Sequence, residues 1–293
     1  MTSARPDRVS LAKRAGAVLI TIAVIMAAGC SAPGRLRLLA AGPRGYWNRD
    51  RLLGARPFLP HGRLVPLPGQ SANSHPAGLA LRVGALFVRE GSSDHFCTAS
   101  VVDSPGRDLL ITAAHCLNGG QGGGGYRQDI VFIPDYRDGE APFGIWTPKR
   151  LLVAPQWIGS SDPALDVGFV VLEPNGGRNI EDVLGANRLG IDPPYQQIVR
   201  VTGYPASGNA PITCINWTSM LSTTQLRFEC GGFTGGTSGS PWVTHFDART
   251  RTGTIVGVIG GYQQGGDTAS VSYSGYLSQA VLRLYHQAAA VTP

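Results

Sequence analysis

Leu110-Ile-Thr-Ala-Ala-His115-Cys116 is a short apolar run that stops at a histidine beside a cysteine. Taken alone, a histidine at the end of such a run is most often a structural or surface residue. The run has many counterparts, however. Residues 81–88, 109–114, 130–133, 167–172, 198–201 and 254–259 are similarly short and apolar, with turn-forming residues between them. Runs of this length bounded by turn signals read as strands of a sandwich or barrel. The 40 glycines and 21 prolines in 293 residues favour many strands and tight turns over a helical bundle. The end of the chain differs. Leu277, Ala280, Val281, Leu284 and Ala288 recur at helical spacing, which predicts one amphipathic C-terminal helix docked on the β core.

The N-terminus carries a different signal. Arg5, Arg8, Lys13 and Arg14 precede an apolar run over 15–28, too short for a comfortable membrane span and suited to a signal peptide. Ala27, Ala28 and Gly29 then lead into Cys30, an order that resembles the bacterial lipobox, although Leu is preferred where Ala27 stands. Residues 1–29 contribute +3 of the formal charge of +6. Seven arginines between Arg35 and Arg63 hold much of the rest, so no basic stripe remains to suggest a nucleic-acid partner. Residues 31–75 are rich in proline and arginine without a period of 2 or 3.6, and read as a linker or pro-segment.

Five cysteines leave one odd thiol. Setting Cys30 apart leaves Cys97, Cys116, Cys214 and Cys230, with three pairings open; sequence proximity favours Cys97–Cys116 and Cys214–Cys230. Each short loop so closed would contribute roughly 3 kcal/mol in the chain-entropy model. The glycine-dense stretch 119–125 reads as a flexible loop, since no Lys-Ser/Thr follows to make it a phosphate cradle.

Two further segments change the reading of His115. Asp166 stands immediately before the apolar run 167–172; an isolated aspartate there is usually a strand-end residue. Gly236-Thr-Ser238-Gly-Ser-Pro241 could be an incidental glycine-rich turn. Together, Thr-Ala-Ala-His-Cys, Asp-x-Gly-Phe-Val-Val-Leu and Gly-x-Ser-Gly-x-Pro resemble the three catalytic segments of the trypsin/chymotrypsin-like serine proteases. Their order along the chain is also that of chymotrypsin-like enzymes. The resemblance covers about residues 79–285. Its Gly-x-Ser-Gly-Ser-Pro form is that of the bacterial branch related to glutamyl endopeptidases. Residues 46–57 resemble the pro-region of actinobacterial members.

The resemblance implies an all-β fold of two antiparallel six-stranded β-barrels with the C-terminal helix. The expected organisation is a signal peptide over 1–29 and a linker or pro-segment over 30–75. The first barrel follows over 76–178 and the second, with the helix, over 179–293. It further implies a catalytic triad of His115, Asp166 and Ser238, and an oxyanion hole from the backbone N–H groups of Gly236 and Ser238. Asp162 and Ser240 are the competitors: Asp162 has no strand directly after it, and Ser240 lacks a glycine two residues before it. Cys97 is the implied partner of Cys116. Gly232, Phe233, Gly260 and Gly261 would line an uncharged substrate pocket, because Gly232 stands where trypsin-like enzymes carry an acid. The strand 254–262 also has no histidine of the glutamyl-endopeptidase kind. Thr237 replaces the aspartate that pairs with a freed α-amino group in trypsin-like zymogens, so activation should not need that ion pair.

The expected activity is therefore endopeptidase action on polypeptides by an exported, secreted or surface-tethered monomer without cofactor or metal. A catalytically inactive homologue acting as a surface binding module, and an esterase or transferase, are the alternatives. Cys30 is expected either to carry lipid or to leave with the signal peptide. Intact-mass analysis of the exported protein should find it in no disulfide; a bridge from Cys30 to any other cysteine would overturn this.

Overall fold

The stretch 109–111 explains its own unbroken apolarity once its two faces are followed. Leu110 points into the interior of one barrel with Leu86, Phe132 and Val170, while Leu109 and Ile111 point into a second cluster with Phe169, Val243 and Ile255. A strand buried on both faces has no solvent-facing position, so the usual alternation disappears. The computed structural model describes residues 42–58, 72–206 and 209–290. The expected signal peptide and Cys30 lie outside them, as does much of the 30–75 stretch.

The first barrel is built on six strands in the spatial order Gln128–Pro134, Val83–Glu90, Ser93–Val102, Leu109–Thr112, Gly168–Leu172 and Pro148–Val153. Every pairing among them is antiparallel. The second runs Val271–Gly275, Gln225–Glu229, Ile212–Ser222, Ile198–Gly203, Pro241–Asp247 and Thr252–Val258, again antiparallel throughout. Two-residue strands extend both: Arg56–Pro57 lies parallel on Ser93–Val102, His75–Pro76 antiparallel on Ile212–Ser222, and Arg188–Leu189 parallel on Thr252–Val258. The double barrel implied by the resemblance is thus the fold. Phe228, Phe233 and Trp242 fill the second barrel, with Phe233 edge-on to Phe228.

Two disulfides brace the loops, Cys97–Cys116 in the first barrel and Cys214–Cys230 in the second. Paired cysteines suit an oxidising, extracellular setting. No helix among the described residues is long and apolar enough to cross a membrane.

Residues 43–58 have more structure than their composition suggests. Helices Pro43–Tyr46 and Arg49–Gly54 place Trp47 and Leu52 against Val83, Phe87 and Val131 on the outside of the first barrel. The Asn48 side chain caps the second helix by accepting from Arg51 N–H at 3.0 Å.

The C-terminal helix spans Gln279–Ala289 and starts at Ser278, whose side chain accepts from Ala280 N–H. Its buried face, Val281, Leu284 and Ala288, joins the cluster shared by both barrels. Leu284→Ala should cost about 2–4 kcal/mol by urea unfolding. Gln287→Ala on the exposed face should change stability by less than about 0.5 kcal/mol.

Candidate active site

His115 lies in a one-turn helix, Ala114–Leu117, directly after the strand Leu109–Thr112. The disulfide from Cys116 back to Cys97 fixes that turn on the neighbouring strand. Asp166 ends the 3-10 turn Pro163–Leu165 and precedes Gly168–Leu172, which pairs with Leu109–Thr112. Adjacent strands therefore deliver the two side chains to one point. Asp166 Oδ2 accepts from His115 Nδ1 at 2.8 Å, and Oδ1 accepts from His115 N–H at 2.9 Å. A third donor, Gly261 N–H, reaches Oδ2 at 2.9 Å. Asp166 is fully buried, so its carboxylate depends on these three bonds in place of water. Asp162 serves elsewhere, since its side chain accepts from Ala164 N–H and caps the 3-10 turn.

With Nδ1 donating to the carboxylate, the other imidazole nitrogen is left as an acceptor. Nε2 is buried and has no hydrogen-bond partner, so the Ser238 hydroxyl is not bonded to it in this structure. Such bonds are often long in free enzymes and tighten on the substrate complex. The turn carrying Ser238 nonetheless abuts the histidine helix. A Cβ on Gly239 would collide with Thr98 O and Thr112 Oγ1 and stand 3.1 Å from Ala113 N. Gly236 has φ +88°, and a Cβ there would strike the Phe96 ring and stand 2.8 Å from Tyr204 O. Both positions therefore require glycine.

Local bonds hold this turn. Thr237 N–H and Oγ1 both donate to Thr234 O, Ser240 N–H donates to Thr237 O, and Gly239 N–H donates to Ile259 O. Ser240 Oγ is buried beside Gly203 without a hydrogen-bond partner. Gly236 N–H donates to Phe58 O at 3.2 Å.

Solved structures of known proteins share this fold. The protease Anisep from Arthrobacter nicotinovorans is 26% identical, with 74% of this chain and 99% of that chain covered and a TM-score of 0.67. The thermostable serine protease AL20 from an extremophilic microorganism is also 26% identical, covering 73% and 99%, with a TM-score of 0.66. The chain has the chymotrypsin-like serine protease fold. A Glu endopeptidase at 16% identity shares that fold over 77% of this chain and 100% of its own, with a TM-score of 0.60. No protein-family model matches the sequence, and no curated protein does.

Within this protease fold a cleft of about 760 Å³ opens beside His115, lined by Phe58, His95, the 119–123 loop, Arg127 and Gln264. Burial pushes the Arg127 guanidinium below its usual range, and Glu90 partly offsets this. Gly232, Phe233, Gly260 and Gly261 are not among the residues that line this cleft. Gly232 packs against Ser74, and Phe233 is buried in the second barrel. Gly260 lies so close to Asp166 that a Cβ would stand 2.9 Å from its carbonyl oxygen, and Gly261 packs on Gln225. Cys97 and Cys116 stand near His115, but their sulfurs are joined to each other and offer no thiolate to a metal.

Sequence reasoning overlooked Thr98, which helps tie the two barrels together at the site. Its N–H donates to Ser238 O at 2.8 Å and its Oγ1 donates to Gly236 O at 3.0 Å. The same Oγ1 accepts from Tyr204 N–H, and Thr98 O accepts from Thr112 Oγ1 at 2.7 Å. Only its position beside Cys97 in Phe-Cys-Thr-Ala-Ser could have hinted at this. Thr98→Val keeps the shape but strands Gly236 O and Tyr204 N–H. It should cost about 1–3 kcal/mol in denaturant unfolding and slow active-site labelling about tenfold or more. Wild-type values for both would show that these bonds are idle.

Proposed function

We propose that this protein is an exported serine endopeptidase using Ser238, His115 and Asp166. The observation that carries the reading is the fully buried Asp166 carboxylate bonded to both His115 N–H and Nδ1. A structural histidine has no need of a buried anion on one nitrogen and a buried, unpartnered second nitrogen. The protease names of the two neighbours at 26% identity support the same class.

The chemistry follows from the arrangement. Ser238 Oγ attacks the peptide carbonyl carbon while His115 Nε2 accepts its proton. The carbonyl π electrons move onto oxygen, and the N–H groups of Gly236 and Ser238 stabilise that oxyanion. Collapse breaks the C–N bond, and the imidazolium returns its proton to the leaving amine. Water, deprotonated by the same imidazole, then hydrolyses the acyl ester and regenerates the hydroxyl. Asp166 keeps the proton on Nδ1 and stabilises the imidazolium through each half-reaction.

Ser238→Ala should lower peptide turnover by about four to six orders of magnitude and abolish fluorophosphonate labelling. Ser240→Ala removes a buried hydroxyl that has no partner, and should leave turnover within about threefold and stability unchanged or higher. Equal labelling of wild type and Ser238→Ala would overturn the assignment. Labelling without peptide turnover would point to the esterase alternative.

A further inference from the structure

The amide needed to polarise a substrate carbonyl already has a partner in this chain. Phe58 O accepts from Gly236 N–H at 3.2 Å, while Phe58 N–H donates to Phe96 O at 2.9 Å. The Phe58 ring lies 5.9 Å from the His115 ring and 5.4 Å from that of His95, with Arg127 Cζ 4.8 Å from its centroid. Phe58 thus presents a carbonyl to one half of the expected oxyanion hole and an aromatic face to the expected base.

Its position is set from upstream. Arg56 and Pro57 register parallel with His95 and Phe96 on the strand Ser93–Val102. Before them, Trp47 and Leu52 are buried on the barrel, and Trp47 Nε1 donates to Asp129 O at 2.5 Å. Tyr46 OH and Arg51 both bond Asp94, at 2.6 and 2.9 Å. This anchor lies immediately ahead of Phe58 in the chain, so the carbonyl meets Gly236 at the high effective concentration of an intramolecular ligand.

We propose that residues 43–58 form an inhibitory arm whose Phe58 carbonyl caps the Gly236 N–H and whose ring covers His115. The arm and a peptide substrate compete for one site. The proposal rests on the serine-peptidase reading for its consequence, though not for the contact itself. A neutral amide carbonyl takes a weaker hydrogen bond than a developing oxyanion, so the cap is reversible and a substrate can displace it. Activity is then scaled by the fraction of molecules in which the arm is away.

Two variants of the full chain test this. Phe58→Pro removes both the N–H given to Phe96 and the ring over His115; Trp47→Ala loosens the anchor and leaves Phe58 intact. The measurements are the rate of fluorophosphonate labelling at Ser238 and amide hydrogen exchange at Gly236. Both variants should label about tenfold or more faster than wild type, and Gly236 should exchange faster. Unchanged or slower labelling together with unchanged exchange in folded variants would overturn the arm. So would loss of the fold in both, since residues 43–58 would then be integral to the barrel. Cleavage of the wild-type chain after Phe58 would overturn it as well, by making the arm a substrate. If Gly236 exchange rises in the variants while no protein labels, the cap stands and the serine-peptidase reading falls.

Discussion

Thr98 carries several of the hydrogen bonds that the two barrels share at the site, and the geometry of the turn that holds Ser238 follows from satisfying it. The residue is fully buried, so its N–H, C=O and hydroxyl must each find a partner within the protein. The partners are Ser238 O, Gly236 O, Tyr204 N–H and Thr112 Oγ1. Two of these lie on one side of Ser238 or at Ser238 itself, which pins the turn from its backbone. The preceding residue, Cys97, is bridged to Cys116 beside His115. Histidine and serine are therefore both referenced to consecutive residues of a single strand, although more than 120 positions separate them in the chain. Asp166 is referenced to the same sheet through the pairing of Leu109–Thr112 with Gly168–Leu172.

That close approach determines where glycine is needed. Gly239 is pressed against Thr98 O and Thr112 Oγ1, and Gly236 against the Phe96 ring, so neither has room for a side chain. Gly260 is constrained from the other side: a Cβ would crowd Asp166 O at 2.9 Å and Oδ2 at 3.1 Å. The next residue, Gly261, can then bring its N–H to the same carboxylate. Close packing around a buried anion accounts for the lack of side chains at Gly260 and Gly261.

The readable parts of the sequence were those encoded locally. Short apolar runs marked strands, and the helical spacing of Val281, Leu284 and Ala288 marked the buried face of the last helix. The preference for Asp166 over Asp162 rested on the strand that follows it, and the same local logic places Asp162 in a cap. What remained hidden was encoded at a distance. Thr98 looks like any strand threonine because its partners Gly236 and Tyr204 are 138 and 106 residues away. The face on which Phe233 is buried, against Phe228 and Trp242, depends on partners that its own segment does not encode. The 43–58 region escaped because helices of four and six residues are shorter than the window in which helical periodicity can be read.

The same region shows how charge and burial divide the work of holding a removable segment. Its arginines pair outward: Arg49 with Glu140, and Arg51 with Asp94. The first pair is more than half exposed on both sides, a setting in which an ion pair is worth about 0–1 kcal/mol. Burying an apolar side chain such as Leu52 is worth roughly 1.5–3 kcal/mol, and Trp47 buries a larger surface. Apolar contact therefore supplies the attachment, and charge selects the register that brings Arg56 opposite His95. The ladder itself contributes little, since Arg56 and Pro57 alone enter it, whereas Val83–Glu90 pairs along its whole length with Ser93–Val102. A segment held by side-chain contacts on the barrel's outer surface and two ladder positions can leave without opening the barrel beneath it. A full strand of the antiparallel sheet could not, and only the first arrangement is compatible with a cap that comes off.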